Sequence, residues 1–192
     1  VETHQGDGNA SPVSIIDYRY GTDGIRISAT VQSDAAADGI IDSIEKTEYL
    51  IDTRNHTGYQ QVLEETVYDL DVNTGAETET KKIVYTIGHD QISQTSFTPG
   101  GAAEGTTLIF HYDGHGSTRI LTDLAGAIAT FAAPQIFHYT SYGQAINFTM
   151  STAGTQYLYS GEQFDSRIGQ QYLRARYYNQ ASGTFNRLDP FF

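Results

Sequence analysis

The chain has 192 residues, 39% hydrophobic and 18% charged, enough to build a packed core and too apolar for bulk disorder. Its formal charge of −12 argues against a groove for nucleic acid and against an anionic membrane surface, and the absence of cysteine excludes disulfides and thiol catalysis. With 14 Tyr, 9 Phe and 19 Gly but no Trp, the composition favours half-buried strands punctuated by turns.

Residues 1–14 read as a loose, polar lead-in without a signal-peptide pattern, as expected of a mature or excised fragment. Residues 15–32 alternate: Ile16, Tyr18 and Tyr20 with Asp17 and Arg19, then Ile25, Ile27, Ala29 and Val31 with Arg26, Ser28 and Thr30. The turn residues Gly21-Thr22-Asp23-Gly24 lie between, which predicts a β-hairpin. Residues 33–46 read as an insertion loop with room for a helical turn at Ala35–Ala37. Tyr49, Ile51, Val62, Val67 and Tyr68 mark strands around a polar loop at residues 52–58, and Asn73-Thr74-Gly75 marks a turn. Residues 81–97 predict two short strands around Gly88-His89-Asp90, followed by a flexible loop at 98–105.

The pattern then sharpens. Leu108, Phe110 and Tyr112 share one strand face, Asp113-Gly114-His115-Gly116 turns the chain, residues 117–122 return it, and residues 123–126 turn it again. Phe137, Tyr139 and Tyr142 predict a further strand region. Tyr157 and Tyr159, a turn at 166–169 and one strand over residues 171–178 complete the chain, with Arg174 and Arg176 alternating with Leu173, Ala175 and Tyr177. Strand pairs recurring every few tens of residues predict an all-β, laterally growing antiparallel sheet, with a compact sandwich as the alternative. A growing sheet has open edges that need neighbours or caps.

These residues resemble the RHS/YD-repeat family and the RHS repeat-associated core. "YRYGTDGIRISATV" is similar to a YD repeat, "YLIDTRNHTGYQQVLEE" and "YTIGHDQISQT" to segments that precede the core, and "FHYDGHGSTRILTDLAGAI" and "YLRARYYNQASGTFNRLDP" to the core and its end. The resemblance divides the chain into YD-repeat-like hairpins at 15–105 and a core at 106–192 truncated at its C-terminal end. It implies antiparallel hairpins curving or spiralling into a hollow β-shell, which in bacterial members encloses a C-terminal effector or toxin. The related animal teneurins are cell-surface adhesion proteins. The expected partners are therefore the remainder of a parent shell and an enclosed C-terminal domain, in a secreted or cell-surface protein of a bacterium. A structural or adhesive module that joins neighbours through sheet edges is the second reading.

Candidate sites are few. His111 and His115 flank Asp113-Gly114, but a strand-turn spacing does not aim two rings at one ion as a helix does, and turn chemistry accounts for Asp113, Gly114 and Gly116. No metal and no cofactor is expected. Many family cores cleave themselves through an aspartyl-type pair, and Asp189 stands at the matching Asp-Pro position. The second acid and the scissile segment would lie beyond Phe192, so this chain is not expected to be an enzyme by itself. Asn179 and Thr184 stand where the family pattern commonly has Asp and Arg. Arg174 and Arg176, beside Tyr177 and Tyr178, are expected to pair with carboxylates across strands and to tie the core to the shell.

Overall fold

A computed structural model describes residues 13–54, 58–100 and 105–188. Within them the fold is nearly all β. Eight strands, β1 (Val13–Tyr20), β2 (Arg26–Asp34), β3 (Ser43–Asp52), β4 (Gln61–Leu70), β5 (Glu77–Ile87), β6 (Gln91–Phe97), β7 (Thr106–Tyr112) and β8 (Thr118–Thr122), follow one another in sheet order. Four shorter ones, β9 (Gln163–Asp165), β10 (Gln170–Leu173), β11 (Arg176–Asn179) and β12 (Thr184–Phe185), form a second sheet. Two compact units emerge: one holds the chain through Tyr85 plus Thr95–Thr106, the other Thr86–Gln94 plus the chain from Thr107 onward. Of the expected lead-in, Val13 and Ser14 already belong to β1, and residues 1–12 lie outside the described residues.

One five-residue turn geometry recurs in both units. At residues 21–25 the N–H of the first residue donates to the carbonyl of the fifth, and the N–H of Gly24 donates to the carbonyl of the first (2.8 and 3.0 Å). The same two bonds recur at 113–117, 123–127 and 140–144. The fourth residue is always glycine with φ between 77° and 85°, a left-handed conformation that a side chain would strain. Where the first residue is Asp113 or Asp123, its carboxylate also takes two backbone N–H groups of its own turn.

Two of these turns are followed by bulges. Tyr20 pairs with Arg26 and Arg19 with Ser28, so Ile27 is the extra residue. Tyr112 pairs with Thr118 and His111 with Ile120, so Arg119 is the extra residue. A bulge reverses the in-out alternation beyond it. This corrects the simple reading of β2: Arg26 is buried at 2% exposure while Ile27 faces outward. Arg26 lies over the rings of Tyr18 and Tyr49 at 5.3 and 4.8 Å. Tyr49, Glu65 and Ile83 stand in register across β3, β4 and β5, all buried, and the Tyr85 hydroxyl donates to the Glu65 carboxylate at 3.0 Å. The first unit thus packs charged groups inside, each against a partner.

Three further expectations change. No helical turn forms at Ala35–Ala37. The Asp34 carboxylate takes the N–H groups of Asp38 and Gly39, and Asp42 takes those of Ala35 and Ala36, so carboxylates replace the carbonyls a helix would supply. Strand β5 starts at Glu77, ahead of the apolar residues that announce it, where Lys46 bridges Glu48 and Glu77 at 2.7 Å each. In place of the strand expected from Phe137 there are single bridges: Ile136 to Ile120 and Tyr139 to Ala145. The chain turns again at 140–144 before a second pair can form.

The core of the second unit is built from Leu108, Phe110, Leu121, Phe137, Leu158 and Tyr172, among others. Phe137, Phe148, Tyr139 and Tyr159 follow one another ring against ring at 5.1–5.7 Å.

Candidate functional site

The Asp-Gly-His-Gly turn between β7 and β8 draws a distant stretch of the second unit onto itself through polar contacts. Asp113 Oδ1 accepts from the N–H groups of His115 and Ser117, and its other oxygen lies 3.8 Å from the Arg119 guanidinium. That guanidinium sits 5.7 Å from the centre of the Tyr139 ring.

Residues 157–161 dock onto this turn. Thr118 Oγ1 donates to Tyr157 O at 2.7 Å and Thr118 N–H to Leu158 O at 2.9 Å. Ser117 Oγ accepts from Ser160 N–H at 3.0 Å, and Ser160 Oγ lies 3.0 Å from His115 Nε2. Ser160 takes a left-handed φ of 54°, and a side chain on Gly161 would run into the carbonyl of Gly116. The His115 ring leans on Tyr159 at 5.4 Å, and Gln171 Nε2 donates to Tyr159 O. The result is a clasp between a hairpin turn and the segment leading into β9.

Tyrosine hydroxyls tighten the same unit. Tyr112 donates to Gln91 O, Tyr139 to Thr118 O, Tyr159 to Ser141 O and Tyr178 to Tyr142 O, all at 2.8–3.2 Å. Burial pushes the Tyr112 and Tyr139 phenols well above the usual phenol range, because the phenolate would lose its hydration.

The arginine run reads differently in three dimensions. The expected single strand over 171–178 is a hairpin: β10 and β11 flank a two-residue turn, Arg174-Ala175, with Leu173 opposite Arg176. Arg174 carries the left-handed φ of that turn, 55°, so Arg174 and Arg176 do not share a strand face. Arg174 reaches both carboxylate oxygens of Glu162 at 3.1 Å, and Arg176 covers the Phe185 ring at 3.9 Å. Tyr177 is buried against Tyr172, and Tyr178 tilts against Phe185 at 5.4 Å. Asn186 exchanges bonds with the Tyr177 backbone at 2.9 and 3.0 Å, and Arg187 caps Ala175 O. The described chain leaves at Leu188, 85% exposed. Asp189 lies outside the described residues. No group of three metal-binding side chains occurs among the described residues. Ser160, Glu162 and Asn186 carry much of this geometry and were not singled out by sequence pattern, since isolated polar residues in turns have no periodic signature.

No family model matches the chain. It is similar to the tRNA3(Ser)-specific nuclease WapA of Bacillus spizizenii, 29% identical over 117 residues, which is 56% of this chain and 5% of that protein. It is also similar to the tRNA nuclease WapA of Bacillus subtilis, 34% identical over 83 residues, 42% of this chain and 3% of that one. Among solved structures, TcdB2-TccC3 superposes with a TM-score of 0.68 at 19% identity, covering 97% of this chain and 8% of that chain. The Photorhabdus luminescens Tc holotoxin pore gives a TM-score of 0.69 at 19% identity, covering 99% and 8%. The chain therefore spans a small fraction of the proteins it resembles, and the structural likeness, with the YD-type motifs, supports an RHS-related β fold.

Proposed function

We propose that this chain is a wall-and-closure segment of a large bacterial RHS-repeat protein, secreted or displayed at the cell surface, that encloses or presents a C-terminal effector. The observation that carries this reading is the strand order. Eight strands pair strictly in sequence, and nearly the whole chain superposes on a short stretch of much longer chains. Such a ladder pairs each inner strand's backbone on both sides with its sequence neighbours, as a repeat-built shell wall requires.

The WapA relatives are nucleases, yet the shared part is a small share of each. All of this chain's net charge of −12 falls in residues 1–105, with eighteen acidic against six basic residues, and residues 106–192 balance at five each. A wall of that sign repels RNA, so the chain's part is the container and any nuclease activity belongs to other regions of a parent protein. The test is limited proteolysis of the parent chain. The effector-bearing region should survive protease while the wall is intact and become sensitive when Thr118→Arg opens the clasp. Equal sensitivity in both would sink the container reading. Self-cleavage is tested on a chain extended past Phe192: cleavage should be lost with Asp189→Asn, and unchanged cleavage removes Asp189 from any such role.

A further inference from the structure

Two features at residues 159–160 go beyond what holding a turn requires. The first is a serine in a conformation that glycine ordinarily supplies: Ser160 has φ 54° and ψ 22°, although Gly161 follows it directly. Its hydroxyl lies 3.0 Å from His115 Nε2, within reach of a general base, and His115 is exposed. With Nε2 bare and the ring proton on Nδ1, the imidazole accepts the Ser160 proton.

The second is the carbonyl just before that serine, which takes two donors. Tyr159 O accepts from Gln171 Nε2 and from Glu162 N–H, the latter at 3.2 Å. Gln171 is buried, so its amide is held in place. Two N–H donors aimed at one carbonyl oxygen stabilise the negative charge that forms when a nucleophile adds to its carbon. On the acyl side, Thr118 holds Tyr157 O and Leu158 O, and the Tyr159 hydroxyl donates to Ser141 O. On the amine side, Ser160 N–H donates to Ser117 Oγ at 3.0 Å. Both halves of the Tyr159–Ser160 peptide bond are clamped while the φ beside it is strained.

We propose that the Tyr159–Ser160 bond is a self-processing site, opened by an N-to-O acyl shift. Ser160 Oγ adds to the Tyr159 carbonyl carbon, and its proton passes to His115 Nε2. The oxyanion rests on Gln171 Nε2 and Glu162 N–H. The C–N bond then breaks, His115 returns the proton to the departing nitrogen, and Tyr159 is left esterified to Ser160 Oγ. Water reaches this exposed pair and hydrolyses the ester, giving a Tyr159 carboxylate and a Ser160 with free amine and hydroxyl. Water is the one co-reactant, and release of the left-handed φ favours the forward step. The bond, the nucleophile and the chemistry all differ from those of a cut at Asp189. The reaction stands apart from the wall reading above and does not depend on an enclosed effector.

Incubation of the purified 192-residue chain tests it. Denaturing electrophoresis and intact mass should show fragments 1–159 and 160–192, together one water heavier than the uncut chain. Hydroxylamine should speed their appearance and leave a hydroxamate on Tyr159. Ser160→Ala should abolish the cut, and Ser160→Cys should keep it through a thioester. His115→Ala and Gln171→Leu should each slow it ~100-fold or more. Circular dichroism on each variant separates lost chemistry from lost fold, and the exposed His115 carries the test if the buried Gln171 variant unfolds. A folded chain that stays intact in hydroxylamine overturns the proposal. So does a cut that survives Ser160→Ala, that maps to another bond, or that keeps its rate in His115→Ala.

Discussion

Hairpins β1–β2 and β7–β8 are one backbone device with two interiors. Both use the same five-residue turn with a left-handed glycine, Gly24 or Gly116, and both step register after the turn by one bulged residue. The bulge delivers the residue before it, Arg26 in one and Thr118 in the other, into the core. Arg26 fills its place by lying between two tyrosine rings of its own sheet. Thr118 is too short for that, and its backbone and hydroxyl instead bind Tyr157 and Leu158 from a distant stretch of chain. The shared turn geometry therefore leaves one inward side chain to decide whether a hairpin is wall or seam.

Exchanging those side chains should break the distinction hardest. Thr118→Arg places an unpaired cation at a site with 0% exposure and should cost roughly 3–5 kcal/mol, read as loss of near-UV circular dichroism from the second unit's tyrosines. If the variant melts like the parent sequence, Thr118 is not the seam. Arg26→Ala should cost about 3 kcal/mol, through the cavity and the lost cation–π contacts. Exchange should accelerate in β2 and β3 and leave Leu121 unchanged. A global effect on both hairpins would show that they are not independent interiors.

Alkaline titration separates them by a different route. Tyr112 and Tyr139 hold their protons well above the ordinary value of 10.0 because they are buried. A raised folded pKa contributes stability that is complete below pH 10 and is lost as pH rises beyond it. Heating at increasing pH should therefore destabilise the second unit steeply above about pH 10, with tyrosinate absorbance appearing together with unfolding. Smooth ionisation of all tyrosines before unfolding would contradict it.

Smaller effects sharpen the seam. Arg174→Ala loses a partly exposed bidentate pair and keeps a strained φ, costing about 1 kcal/mol. Arg174→Gly loses the same pair but relaxes the turn, and should recover roughly 0.5–1 kcal/mol of it. Equal melting temperatures for the two variants would show that the turn stores no strain. His115→Ala should cost least, about 0.5 kcal/mol, since its bond to Ser160 is exposed.

Much of the ladder was legible in sequence because it is written in period-two alternation and glycine turns. The β1–β2 turn, the β7–β8 turn and the 166–169 turn stand where Gly and Asp place them. What alternation hides is the bulge. One inserted residue at Ile27 inverts the faces, and nothing in the order Ile-Arg-Ile-Ser announces it. The turn inside Leu-Arg-Ala-Arg is hidden for a related reason: it is closed by Arg174 in a conformation that glycine ordinarily supplies, and Glu162, twelve residues earlier, holds it. Of the candidate site residues, the Asp113 turn was readable from its own chemistry. The clasp was not, because Ser117, Thr118 and Ser160 meet only after folding.

The collinear order of the strands has a mechanical consequence. A sheet whose strands pair only with sequence neighbours, pulled by the chain entering β1, is loaded as a zipper: each hairpin's bonds yield a few at a time, under low force. The clasp joins residues some forty apart in sequence, Ser117 to Ser160 and Thr118 to Tyr157, so the same pull meets it as several bonds loaded together. Tension applied from that end would peel the hairpins one after another and meet its stiffest resistance where several long-range bonds must break together, at the clasp.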